Sequence, residues 1–217
     1  MERIISAINN SMEVKRRIIE NNALLETILK VAKEIIEAFK NDKKVLLCGN
    51  GGSAADAQHI AAELSGRFYL DRDPLFAEAL HVNTSYLTAV ANDYSYDEVF
   101  SRLVKARGRK GDILIGISTS GNSMNVIKAI EVANEIGMIT LGMTGESDGK
   151  MKDICKYFIN VPSNDTPRIQ EAHIMIGHII CELVEKELFN MVKEAIVLAG
   201  GLGTRLRTVE KGGQQLC

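Results

Sequence analysis

The sequence predicts an α/β fold in which a parallel sheet is covered by helices on both faces, and three observations predict it. Short apolar runs, Lys44-Val45-Leu46-Leu47-Cys48, Asp112 to Ile117, Ile139 to Met143 and Tyr157 to Val161, alternate with stretches of helical pattern. The first two runs each end in a Gly- or Ser-rich turn that leads straight into a helix. Strands that are apolar at nearly every position are covered on both sides, and strands separated by ten or more helical residues pair in parallel. A three-layer αβα sandwich is the architecture expected.

The elements follow in order. Ile4, Ile5, Ile8 and Met12 recur at helical spacing, and a second series runs Leu24, Leu25, Ile28, Leu29, Ala32, Ile35, Ile36, Phe39. Asn21 and Asn22 break the two and supply an N-cap for the second, so residues 1–41 read as an N-terminal helical pair. After the first strand, Gly49-Asn50-Gly51-Gly52 turns into an Ala-rich helix from Ser53 to Leu64. After the second, Ser118-Thr119-Ser120-Gly121-Asn122-Ser123 turns into a helix from Met124 to Ile136. Pro167, suited to a helix first turn, opens a last helix that runs to about Phe189. Residues 1–190 thus make one domain. Residues 191–217 form a tail in which Glu194 to Leu206 reads as a strand and a Gly-rich loop with no sheet to join.

Composition excludes several classes. The 217 residues carry 26 Lys+Arg against 28 Asp+Glu, a formal net charge of −2, with 46% hydrophobic and 25% charged residues. That is globular composition, and it gives no electrostatic reason to expect nucleic acid or an anionic membrane as partner. No apolar run approaches the roughly 18 residues of a membrane span, and the start Met1-Glu2-Arg3-Ile4-Ile5 lacks the layout of a signal peptide. Cys48, Cys155, Cys181 and Cys217 are widely spaced with no CxxC pair, which points to reduced thiols in a cytoplasmic protein.

Two turns carry chemistry. The hydroxyls of Ser118, Thr119, Ser120 and Ser123 sit where a parallel strand meets a helix N-terminus, a site for a phosphate dianion. The competing reading is simple N-capping. With no lysine in the loop, a phosphorylated metabolite suits it better than a nucleoside triphosphate. The glycines of the first turn let backbone approach a ligand. In its helix, His59 and Glu63 project from one face at i, i+4, able to ligate a metal or act as acid and base; an incidental solvated pair is the alternative. The last helix carries Gln170, Glu171, His173 and His178. His178 lies among Ile174, Ile176, Ile179 and Ile180, a setting equally natural for a core histidine. His81 ends a strand and reads as structural.

Taken together, Cys48-Gly49-Asn50-Gly51-Gly52-Ser53, Asn92-Asp93, Gly116 to Ser123 and Arg168-Ile169-Gln170-Glu171-Ala172-His173 resemble the SIS (sugar isomerase) domain. More narrowly they are similar to the phosphoheptose isomerase family, which interconverts sedoheptulose 7-phosphate and D-glycero-D-manno-heptose 7-phosphate. The likeness covers nearly nine-tenths of the chain. It implies a base at Glu63 and an acid/base at His178 for an enediol mechanism. It also implies substrate contacts at Asn50, Gly51, Gly52, Ser53, Glu63, Asn92, Asp93, Ser118, Thr119, Ser120, Ser123 and Gln170. Several members bind zinc at positions matching His59, Glu63, Gln170 and His178, and the family is homotetrameric with interfacial active sites. The alternative within the same fold is a non-catalytic sugar-phosphate-binding or initiator-binding module, which lacks the glutamate. Gln170 and His178 are eight residues apart, about 12 Å of helix rise, so one metal reaches both only across a subunit interface or over a bent helix. The tail, Ala195 to Arg207, resembles the opening of a sugar-phosphate nucleotidyltransferase without its downstream lysine motif, which implies a non-functional remnant.

Overall fold

A computed structural model describes residues 1–189, and the tail lies outside the described residues. Five strands form one wholly parallel sheet: β1 (Val45–Gly49), β2 (Ala77–Ala79), β3 (Ile113–Ile117), β4 (Ile139–Thr144) and β5 (Tyr157–Asn160), in the order β2-β1-β3-β4-β5. Seven helices accompany them among the described residues: α1 (Glu2–Ile19), α2 (Asn22–Lys40), α3 (Gly52–Ser65), α4 (Thr84–Asp93), α5 (Val99–Arg107), α6 (Met124–Ile136) and α7 (Thr166–Phe189). None is long and apolar enough to cross a membrane.

The pleat divides the core in two. Val45, Leu47, Ile113, Ile115 and Ile117 point to a cluster formed with α2, α3 and α7, whereas Leu46, Cys48 and Leu114 point to one formed with α4, α5 and α6. That is the expected three-layer sandwich, and it explains the unbroken apolar strands. Asn21 caps α2 by accepting from the Leu24 N–H at 3.1 Å.

Helix α1 stands apart. Only Val14 and Ile18 of its residues are buried, while Met1, Ile4, Ile5, Ile8, Met12 and Ile19 are exposed. It is held to the body by polar bonds: Arg168 donates to the Ala7 carbonyl, and Arg17 donates to the Pro162 carbonyl and pairs with Glu146. Beside it, Ile18, Ile19, Leu25, Leu29, Ile179 and Leu183 line an apolar groove of about 300 Å³. The segment between β2 and β3 contains α4 and α5, neither of which was read from the sequence. Only Val90 of α4 is buried.

Candidate active site

Strand order reverses between β1 and β3, and in open α/β sheets the crevice beyond that switch point is where ligands bind. The turns after these two strands are the Gly49–Gly52 and Ser118–Ser123 loops. A reciprocal amide clasp joins them: Asn50 Nδ2 donates to Asn125 Oδ1, and Asn125 Nδ2 donates to Asn50 Oδ1, each at 2.9 Å. The Tyr96 hydroxyl donates to the same Asn50 oxygen at 3.2 Å. Ser118 and Ser123 hydroxyls lie 2.9 Å apart, and Ser118 and Ser120 hydroxyls 3.4 Å apart.

Ser123 occupies the N-cap of α6 without making a side-chain cap bond. Its hydroxyl faces Ser118 instead, so capping does not account for it. With the heads of α3 and α6 side by side, the loops present hydroxyls and helix N-termini to one space, a fitting seat for a dianion. Ser53 is buried, its N–H donating to the Asn50 carbonyl. Gln170 reaches over from α7, and its amide lies where a Cβ on Gly52 would stand, so a side chain there would displace the Gln170 amide.

A second cluster lies further along α3 and α7. His59 Nε2 is 3.0 Å from Glu63 Oε1, and His178 Nε2 is 3.4 Å from His59 Nε2. One nitrogen or oxygen from each of the three residues falls within 4.8 Å of the others. The imidazole rings meet edge to face with centroids 4.9 Å apart, and Phe68 packs against His178 at 5.7 Å. Gly177 makes the approach possible: a Cβ there would stand 2.5 Å from Ile60 Cδ1, so its absence lets α7 lie close on α3. Two imidazole nitrogens and a carboxylate oxygen suit zinc, with one position left open. The 3.0 and 3.4 Å separations approximate the roughly 3.3 Å edge of a tetrahedron with bonds of about 2.0–2.1 Å.

Gln170 does not join this trio within one chain. Helix α7 runs unbroken from Thr166 to Phe189, and Gln170 is engaged at Gly52, two turns from His178. Asn92 and Asp93 bond to each other at 2.9 Å at the exposed end of α4. The residue of that segment that touches the loops is Tyr96, not anticipated from sequence. Asn125 was also missed, since its burial at the start of α6 shows only in the fold. Asp56 is a third. It shares the α3 face of His59 and Glu63, its Oδ2 is buried without a partner among the described residues, and burial pushes its carboxyl up to about 6 against the opposing pull of His59. His173, by contrast, is structural: its Nε2–H donates to the Thr144 carbonyl at 3.0 Å, and burial lowers its pKa to about 4.

This crevice, two-helix cluster and sheet order define an open parallel α/β domain with a candidate ligand site at its switch point. The model of the SIS domain matches residues 8–145, and the chain belongs to that family. Within it, the chain is 55% identical over 190 residues to the phosphoheptose isomerase of Clostridium acetobutylicum, covering 87% of this chain and 97% of that one. It is similar in structure to the phosphoheptose isomerase of Neisseria gonorrhoeae, with a TM-score of 0.80, 44% identity, and 85% and 98% of the two chains covered. The corresponding enzyme of Francisella tularensis gives a TM-score of 0.81 at 35% identity over 85% of this chain and 97% of that one.

Proposed function

We propose that the protein is an aldose–ketose isomerase that converts sedoheptulose 7-phosphate to D-glycero-D-manno-heptose 7-phosphate, the entry to nucleotide-activated heptose formation. The observation that carries this reading is the convergence of Glu63 and His178, whose polar atoms lie within 4.8 Å despite their distance in the chain. Isomerisation moves a proton from C1 to C2 through an enediol. The Glu63 carboxylate takes the C1 proton and returns it to C2, while the His178 imidazole carries a proton from the C1 hydroxyl to the C2 oxygen. Asn50, Gly51, Gly52, Ser53, Ser118, Thr119, Ser120 and Ser123 hold the phosphate end, with Asn92, Asp93 and Gln170 along the sugar.

Zinc would be held by His59, Glu63 and His178, with Gln170 of a neighbouring chain as the fourth donor, and would polarise the sugar carbonyl. A carboxylate loses basicity while it ligates, so metal binding and proton abstraction would compete for Glu63; the base role is kept and the metal is the secondary element.

The active enzyme is a homotetramer with interfacial sites. From Gly52 to Glu63 is eleven residues, about 16 Å of helix rise, whereas a seven-carbon chain with its phosphate, at about 1.5 Å per bond, spans about 10 Å. One chain's phosphate loops therefore work with another chain's Glu63 and His178, which also frees Gln170 to meet a neighbour's trio. The exposed Ile4, Ile5, Ile8 and Met12 supply apolar surface for the helical association. Buried, free Cys48 and Cys181 suit the cytoplasm.

Mixing tests this. Glu63→Gln and Ser118→Ala/Ser123→Ala chains are each expected to turn over weakly as pure oligomers. Co-expressed, they regain activity, because some sites then combine an intact loop with an intact carboxylate. Co-expressed chains that stay as inactive as each parent, in oligomers shown to be mixed, overturn the interfacial arrangement.

A further inference from the structure

Behind the His59–Glu63–His178 trio lies a buried ion pair that the chemistry above does not use. Arg72 and Glu185 side chains are 2% and 3% exposed, with Arg72 Nε donating to Glu185 Oε2 at 3.0 Å. The remaining guanidinium donors go to backbone: Nη2 to the Glu63 carbonyl at 2.9 Å, and Nη1 to the carbonyls of Leu64, Gly66 and Asp73 at 2.9, 3.2 and 3.0 Å. These include the last-turn carbonyls of α3, which have no partner further along the helix, and a cation there also opposes the helix dipole. Glu185 meanwhile accepts three consecutive backbone N–H groups, Phe68 at 3.1 Å, Tyr69 at 2.8 Å and Leu70 at 2.9 Å. The segment that follows α3 is thereby pinned to α7, seven residues beyond His178. Pinning it sets the Phe68 ring against the His178 imidazole.

We infer that Arg72 and Glu185 are positioning residues for the acid–base pair: the guanidinium fixes the turn of α3 that carries Glu63, and the carboxylate fixes, through Phe68, the ring of His178. The inference rests on the isomerase reading for its kinetic consequence but not for its geometry. A buried pair that served only to hold the fold needs no tie to either catalytic element, whereas this one makes a bond to the backbone of one and a packing contact to the other. The chain of contacts is short. Shifting either group by about 1 Å costs on the order of a hundredfold in rate.

The test compares Arg72→Lys, Glu185→Gln and Phe68→Leu with wild type. Arg72→Lys keeps the charge and loses the fork; Phe68→Leu leaves the ion pair untouched and keeps the folded state measurable if Glu185→Gln fails to fold. Turnover of sedoheptulose 7-phosphate is expected to fall about a hundredfold in kcat for Arg72→Lys, with KM changed by less than about threefold. In parallel, NMR of the histidine ring protons, with His178 assigned by its loss in His178→Gln, is expected to report a changed ring-current shift in Glu185→Gln and Phe68→Leu. Variants that melt lower but keep native kcat and an unmoved His178 signal overturn the inference. A wild-type protein without turnover overturns the isomerase reading instead, and the His178 signal then decides the positioning claim alone.

Discussion

The two halves of the site are built on opposite principles. The proposed phosphate loops at the carboxyl edge of β1 and β3 are made locally: each polar group lies within a few residues of a strand end, and the scaffold is backbone. The His59–Glu63–His178 trio is made by tertiary packing, from two helices whose contact depends on a missing side chain at Gly177 and on Ile60 filling the gap. The first half needs no charged side chain, because helix N-termini and hydroxyls carry the electrostatics. The second concentrates its titratable groups in one place. Binding a phosphate calls for a preformed cradle, whereas moving protons calls for groups held against each other at hydrogen-bond distance, and on the proposed reading the chain separates the two tasks.

The comparison can be broken from the trio's side first. Glu63→Gln removes the proposed base with little change in volume; turnover is expected to fall by about 10³-fold or more, with an unchanged melting temperature. Retained turnover would assign the base elsewhere. Next is the joint between the halves, where His173 fixes α7 to the end of β4. Its folded pKa of about 4 lies below the ordinary 6.5, so the unfolded chain binds the extra proton in between. The stability from keeping it neutral is complete above pH 6.5 and is lost as pH falls toward 4, about 3 kcal/mol in all. Urea midpoints across that range, compared with His173→Asn, measure it; equal slopes for the two proteins would remove the residue from this role. On the cradle's side, Ser123→Ala is expected to raise KM about tenfold while kcat changes little, since the phosphate is held alike in ground and transition states. A drop confined to kcat would place the hydroxyl in the chemistry. The smallest effect is at Asp56, whose ionised form is disfavoured by burial. Asp56→Asn is expected to stabilise the protein by about 1 kcal/mol at pH 7, the carboxyl being only half-buried, and by nothing below pH 4. Thermal melts at the two pH values decide it.

The same contrast explains what was legible in the sequence. Helix Met124–Ile136 and its strand and turn are where the pattern puts them, since apolar runs, turn residues and period are all local signals. The crevice follows from the two turns. Helix α4 was not read because it buries a single residue; α5 does bury Val99, Phe100, Leu103 and Val104, but over only nine residues, a short signal that passed unread. The Asn50–Asn125 bond and the Arg72–Glu185 pair join residues 75 and 113 apart, and nothing in either neighbourhood marks a partner at such distance. His178 was ambiguous for the opposite reason: isoleucines surround it in sequence, yet the ring emerges half-buried between Phe68 and His59.

The paired amides of Asn50 and Asn125 have a consequence for how the enzyme meets changing surroundings. Each group both gives and receives, so the latch across the sheet crevice is electroneutral and has no proton to lose near neutrality. Salt does not screen it and acidity does not open it, and the strongest charge to enter that space is the one the guest brings.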